Sequence, residues 1–398
     1  MTRARTGTVA MGDGLALGDD LVDAAVQAVG AALAQLGPGP APDLAVAWVA
    51  GGDPDETAAA LEAAASAAAA GTSLGCTAHG VVGAGHAVES DRAVGVWLAR
   101  LPGVSVRSFH LEVLQTPESL AVVGMPDRRS SDVVGILLAD PWSFPAEGFV
   151  EQSTDVLQGL PLVGGLVSGA AGRGDARLMV DGKVHGRGAV GVVLSGDVAV
   201  RTLVSQGCRP IGRPMTVTSS DGPVLHTLAG RPALERAHEA IDELAEEERA
   251  LAMSGLHVGV AMDEYVEEHT ASDFLARGIV DADSDAGTIT VGDAMPVGST
   301  VQFLLRDSAS ASDELDDVLA RARQELGAVP LAGALLFTCS GRGRAMFPTP
   351  EHDIVAVRSA LGLEHVGGFL AGGEIGPVEA RNHLHTFTAT LLAFESEP

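Results

Sequence analysis

Three times along the chain a nearly unbroken apolar run gives way to a polar loop, a proline, an amphipathic stretch and a second, glycine-rich apolar run. The first instance is DLAVAWVA (Asp43–Ala50), a stretch from Pro54 to about Ala70, and TSLGCTAHG. The second is DVVGILLA (Asp132–Ala139), a stretch from Pro145 to about Gln158, and LPLVGGLVSG. The third is LAGALLFT (Leu331–Thr338), a stretch from Pro350 to about Leu361, and EHVGGFLAGGEIGP. Unbroken apolar runs suit strands covered on both faces, and the amphipathic stretch between two of them predicts a helix crossing between parallel strands. Proline fits the first helical position, where its missing N–H would have no partner anyway. Asp53 and Thr349 are predicted N-caps, and Gly71 and Gly159 are predicted to follow helix C-termini. Each copy then runs into a further strand-like segment: AVGVWLARL, GAVGVVLSG and HTFTATLLAF.

Between the second and third copies the pattern changes. SQGCRPIGRPM (Ser205–Met215) is rich in glycine and proline and predicts a boundary. A helix is predicted over Pro232–Ala252, with Leu234, Ala237, Ile241, Leu244 and Leu251 on one stripe, and another over roughly Asp313–Leu326. DADSDAG (Asp281–Gly287) reads as a hairpin turn, because its glycine stands one place late for a calcium loop and no glutamate follows at the bidentate position. The expected class is α/β: two halves with mixed sheets containing repeated βαβ units flanked by helices. The expected division is an N-terminal extension over 1–40, one α/β domain over 41–205 and a second over 206–398.

Composition narrows the partners. The formal charge of the 398 residues is −27, and Lys183 is the only lysine. Sequence-independent nucleic-acid binding needs clustered positive charge, and so does docking to anionic lipid. Neither is expected of this chain. No run is long and apolar enough for membrane insertion, and the weakly basic start lacks the apolar centre of a signal peptide. Cys76, Cys208 and Cys339 are far apart in sequence and odd in number, which fits reduced thiols and a cytoplasmic location.

The chemistry is concentrated late in the chain. CSGRG places Cys339, Arg342, Gly343 and Arg344 where a buried strand ends. Glycines admit a ligand to the backbone and arginine suits a carboxylate or phosphate. Cationic neighbours can also lower a thiol pKa, though no histidine adjoins Cys339 in sequence, and a small buried residue is the alternative. Cys76 and His79 share LGCTAHG but fall on opposite faces of a strand. His383 and His385 lie on one strand face, suitable for a metal or a haem edge, with no third ligand fixed by spacing. Walker A, GxSxG and HExxH motifs are absent from the sequence, and GAAGRGD (Gly169–Asp175) lacks the strand–GxGxxG–helix order of a dinucleotide site.

From about Asp43 to Phe394 the chain resembles FIST proteins, the FIST-N/FIST-C sensory domains of bacterial signal transduction that also occur in F-box proteins. The resemblance rests on LGCTAHG, the GG of LVGGLVSG (Gly164, Gly165), VDGKVHGRGAVGVVL, PIGRPMTVT, LARGIVDADSDAGTITV, VGSTVQFLLRD, CSGRG, GGFLAGGEIGP and LHTFTATLLAF, in that order. It implies a small-ligand sensor, with amino acids among the ligands; unlike many relatives, this sequence shows no kinase, cyclase or chemotaxis-type segment, so a separate signalling partner is expected. It also implies roles in ligand binding for Cys339, Arg342, Gly343, Glu374, His383 and His385. Arg344, Cys76, Gly164 and Gly165 complete the candidate set. Some relatives bind haem. Here no cofactor is expected, because aromatic residues are only 4% of the chain and only His383 and His385 are placed to hold one. The favoured ligand is a small carboxylate held by Arg342, with Glu374 near any cationic group; the opposing reading pairs Arg342 with Glu374. A cysteine-dependent enzyme using Cys339 and a pure interaction module are the other function classes.

Overall fold

A computed structural model describes residues 8–115, 120–262, 264 and 273–396, so the weakly basic start lies largely outside the described residues. The chain forms two compact units, residues 1–204 with 316–398, and residues 205–315. The change near 205 stands where glycine and proline marked it, but the chain returns to the first unit after the second.

All three repeats are in the first unit, and their first runs are strands: Leu44–Ala50, Asp132–Ala139 and Leu331–Cys339. Each pairs in parallel with the next run, Thr72–Ala78, Leu162–Leu166 and Val366–Ala371 respectively. The intervening helices are Pro54–Ala68, Ala146–Val156 and His352–Leu361. Only Pro54 is itself the first helical residue. Asp53 caps the first helix, accepting from Asp55 and Glu56 N–H groups while Glu56 reaches back to Asp53 N–H. The third helix begins after Glu351, without a side-chain cap and two residues beyond the expected Thr349.

Each repeat then forms a β-hairpin that joins the sheet of another repeat. Hairpin Gly80–Gly83/His86–Glu89 of repeat one pairs with Val366–Ala371 of repeat three. Hairpin Leu178–Val180/Lys183–His185 of repeat two pairs with Thr72–Ala78 of repeat one. Hairpin Glu374–Val378/Arg381–His385 of repeat three pairs with Leu162–Leu166 of repeat two. On the other side of each parallel pair lies that repeat's own last strand: Ala93–Arg100, Ala189–Gly196 or Ala389–Glu395. An outer strand follows in each sheet: Ala10–Leu17, Val104–Gln115 or Val200–Ser205. Residues 10–36 are therefore the opening strand and a helix (Leu21–Leu36) of repeat one, not an extension.

The sheets turn one face toward a common core, which holds Trp48 and Trp97 of repeat one, Ile136 and Leu138 of repeat two, and Phe337, Phe369 and Phe394 of repeat three. Trp48 stacks on Phe369 with centroids 6.3 Å apart, and Trp97 lies 5.4 Å from Phe394. The outer face of the first sheet is covered by the two alanine-rich helices, and that of the second by Ala146–Val156.

The second unit, inserted in sequence between the outer strand and first parallel strand of repeat three, is a closed antiparallel barrel. Its strand order is Arg209–Asp221, Thr300–Leu305, Leu256–Ala261, Phe274–Asp283, Thr288–Val291 and Val224–Leu228, which pairs back with the first. The stretch expected as one helix over 232–252 is two, Ala233–Asp242 and Glu246–Gly255. DADSDAG is the tip of a hairpin, with Asp283 Oδ1 accepting from Asp285 and Ala286 N–H groups.

One glycine in the second parallel strand recurs in all three repeats. A Cβ on Gly75, Gly164 or Gly368 would collide with the carbonyl of its neighbour across the pair, Ala47, Leu137 or Leu336. Gly368→Ala is therefore expected to destabilise by about 1–3 kcal/mol, since backbone must shift to admit the methyl. Gly148→Ala, in a helix with open space around the new methyl, should instead stabilise by about 0.5–1 kcal/mol. Urea unfolding midpoints of the two variants test the opposite signs.

Candidate functional site

In open α/β sheets ligands sit beyond the C-terminal ends of the parallel strands, and here three such ends carry different residues. In repeat one the end is closed: Asp53 caps the helix, while Arg92 binds Glu56 and the carbonyls of Gly51 and Asp19. Repeat three holds the titratable chemistry.

Strand Leu331–Cys339 turns into a single 3-10 turn, Ser340–Arg342, whose Gly341 N–H points at Cys339 Sγ, 3.4 Å away. That turn carries Arg342 inward, not outward. Its guanidinium is buried and held in a fork by Asp353, Nε donating to Oδ2 at 2.8 Å and Nη2 to Oδ1 at 2.9 Å. It also lies over the Phe347 ring, 5.6 Å from the centroid. Asp353 further accepts from the Thr338 hydroxyl and contacts His352 Nδ1 at 2.9 Å. Burial alone would raise the Asp353 pKa, but Arg342, His352 and Thr338 together hold the carboxyl well below the usual carboxylate range. Arg342 thus has a carboxylate partner from its own chain, and that partner is Asp353 rather than Glu374.

Glu374 opens the third hairpin and is fully buried. Its Oε2 accepts from the Thr388 N–H at 3.0 Å and the Thr388 hydroxyl at 2.8 Å, while Oε1 has no hydrogen-bond partner. Burial pushes its pKa up to about 8 against the Thr388 bonds, the adjoining Cys339 thiol and the more distant Arg342 charge. Burial and Glu374 also push the Cys339 thiol up, the reverse of the lowering expected from its arginine neighbours.

The glycine before Arg344 serves the chain's own carboxylate. A Cβ on Gly343 would collide with Glu89, which stands at the end of repeat one's hairpin. Glu89 Oε2 accepts the Arg344 N–H at 2.7 Å, and Oε1 lies 3.4 Å from His79 Nε2. His79 contacts Ser90 as well, and its N–H donates to Ser168 Oγ of repeat two. The Arg344 side chain is exposed, and no carboxylate among the described residues engages it.

The other candidates are dispersed. Cys76 lies at 0% exposure in the common core, with no path to a ligand. Gly164 and Gly165 pair with Ile375 and Glu374; a Cβ on Gly164 would meet the Leu137 backbone, and one on Gly165 would meet Ala371, Gly373 and Phe369 of repeat three. His385 is buried and donates from Nε2 to the Gly376 carbonyl at 3.0 Å, so that nitrogen is engaged by the fold. The His383 ring is 5.9 Å away. Asp353, Glu89 and Thr388 were missed from sequence. Of these, Asp353 carried a signal, an acid in the first turn of the helix after an inward-facing arginine.

Glu374 makes a signed pH prediction. Its folded pKa exceeds the ordinary carboxylate value, so the folded state binds the extra proton and stability falls as pH rises through the window ending near 8. The wild type should lose up to about 1.4 kcal/mol per pH unit there relative to Glu374→Gln. Lowered histidine pKa values at His185 and His257 act at lower pH and are common to both proteins. Parallel urea curves for the two proteins at each pH would reveal a missing proton-linked difference.

Residues 43–231 match the FIST N domain family and residues 233–377 match the FIST C domain family. An uncharacterized protein of Mycobacterium tuberculosis is 40% identical over 384 residues, covering 96% of this chain and 99% of its own length. An uncharacterized protein of Mycobacterium bovis is also 40% identical, with 96% and 98% covered. The FIST C match runs across the barrel into repeat three, so it cuts both compact units. With both domain families matched in order along an interlocked three-repeat unit and its inserted barrel, the chain belongs to the FIST family.

Proposed function

We propose that this protein is a small-ligand-binding sensory protein that takes a small carboxylate, such as an amino acid, at the strand ends of repeat three and signals through a separate protein. FIST domains are associated with sensory signal transduction and small-ligand binding. The observation that carries the site is Glu374, a fully buried carboxyl with one oxygen unpartnered beside a buried thiol. Burying such a group is costly even with the two Thr388 bonds it accepts, and a buried carboxyl with a raised pKa is a candidate functional position. The CSGRG loop also presents the exposed Arg344, and half-exposed His79 borders that loop through Glu89. Arg344, rather than Arg342, takes the ligand carboxylate in this reading. Replacing Arg342 is an unsuitable test, because it strips Asp353 of its partner and leaves a buried charge.

Calorimetry of the twenty amino acids and short organic acids against wild type and Arg344→Ala tests the proposal. At least one compound should bind the wild type and bind Arg344→Ala about tenfold to hundredfold more weakly, with unfolding midpoints unchanged. Binding by none of them, or equal binding to both proteins, refutes this site.

A further inference from the structure

Repeat two carries at its own strand ends a cavity of about 540 Å³. At the matching ends repeat one places the Asp53 cap and the Arg92 clamp, and repeat three places Arg342, Asp353 and Phe347. In repeat two, strand Asp132–Ala139 ends at Asp140, whose buried carboxylate accepts the Trp142 N–H at 3.1 Å and the Ser143 hydroxyl at 2.5 Å. Ser143 Oγ accepts in turn from the Gly188 N–H at 2.9 Å. These bonds bend the loop so that the Trp142 indole stands outward, 48% exposed, whereas Trp48 and Trp97 are at 0%.

Val113 and Leu120, from strands Val104–Gln115 and Leu120–Val123, and three loops supply the lining. Trp142, Phe144 and Pro145 come from the first strand end, Arg173 from GAAGRGD after the second, and Arg187 from the turn into Ala189–Gly196. Arg173 donates to the Trp142 carbonyl at 3.2 Å, which places its guanidinium against the indole loop. Among the described residues the lining contains two arginines and no acid, in a chain of charge −27. Asp140 lies beneath with both carboxylate oxygens already bonded.

We infer that this cavity is a second ligand site, for a small molecule that joins a flat apolar ring to a carboxylate. The ring lies on Trp142 against Phe144 and Pro145, where aromatic faces prefer offset contact. The carboxylate meets Arg173 and Arg187, whose planar donors match its geometry. The volume falls in the usual range for small-molecule sites and admits a ring with its side group. The inference uses none of the third repeat's residues, so either site can fail without the other.

Phenylacetate is the probe, and Trp142 is its own reporter because the other two tryptophans are buried. The expected result is saturable quenching of tryptophan emission by phenylacetate, absent in Trp142→Phe. The Arg173→Ala/Arg187→Ala double variant should bind at least about tenfold more weakly by calorimetry, and its circular dichroism should be unchanged because both side chains are exposed. Arg344→Ala should bind phenylacetate as the wild type does. The site is refuted by an absence of saturable binding, by undiminished binding to the double variant, or by loss of binding in Arg344→Ala. Equal quenching by acetate, inorganic phosphate or benzyl alcohol at the same concentration likewise refutes the ring-plus-carboxylate reading.

Discussion

The exchange of hairpins among the three repeats is the constraint on which the first unit depends. A parallel pair leaves the outer edge of its second strand unpaired, and an unpaired edge in a buried setting costs a row of hydrogen bonds. Here each such edge, at Thr72–Ala78, Leu162–Leu166 and Val366–Ala371, is completed by a hairpin from another repeat. The ring of exchanges forces the inner sheet faces together, and the large aromatics Trp48, Trp97, Phe337, Phe369 and Phe394 fill the space between them. Gly75, Gly164 and Gly368 are where a side chain would collide with the neighbouring strand of each parallel pair.

That scaffold repeats, but its loops do not. One strand end carries a capping box and an arginine clamp, one opens as a cavity beside Trp142, and one covers a buried carboxyl. A symmetric frame with dissimilar ends lets a rigid core hold different chemistry at equivalent places. The exchanged hairpins also bring distant residues to each end: Glu89 of repeat one reaches the loop carrying Arg344, 255 positions along the chain.

What could be read from the sequence was local. Unbroken apolar runs and the Asp53–Glu56 cap announced the parallel strands and first helix, because burial on both faces and capping leave marks within a few residues. The glycine–proline cluster near 205 announced the change of unit. Nothing local reveals that residues 316–398 rejoin the first unit or that a hairpin pairs with another repeat, since those choices are settled by contacts hundreds of positions apart. The proline rule misplaced the third helix start because Pro350 and Glu351 precede the helix. In the site, CSGRG was correctly found at a strand end, yet Arg342 faces inward because the tight turn after Cys339 directs it to Asp353. Trp142 and Arg187 gave no sign of convergence, as one follows a strand end and the other ends a hairpin turn.

The most direct test of the exchanged-hairpin account is the folding of residues 1–204 on their own. In this fragment strand Leu162–Leu166 lacks its covering hairpin, and hairpin Gly80–Glu89 lacks its acceptor strand. The account predicts poor amide dispersion by NMR and no cooperative thermal transition for the fragment alone, with both restored when residues 205–398 are refolded together with it. A monomeric, well-dispersed and cooperatively melting 1–204 fragment would contradict it.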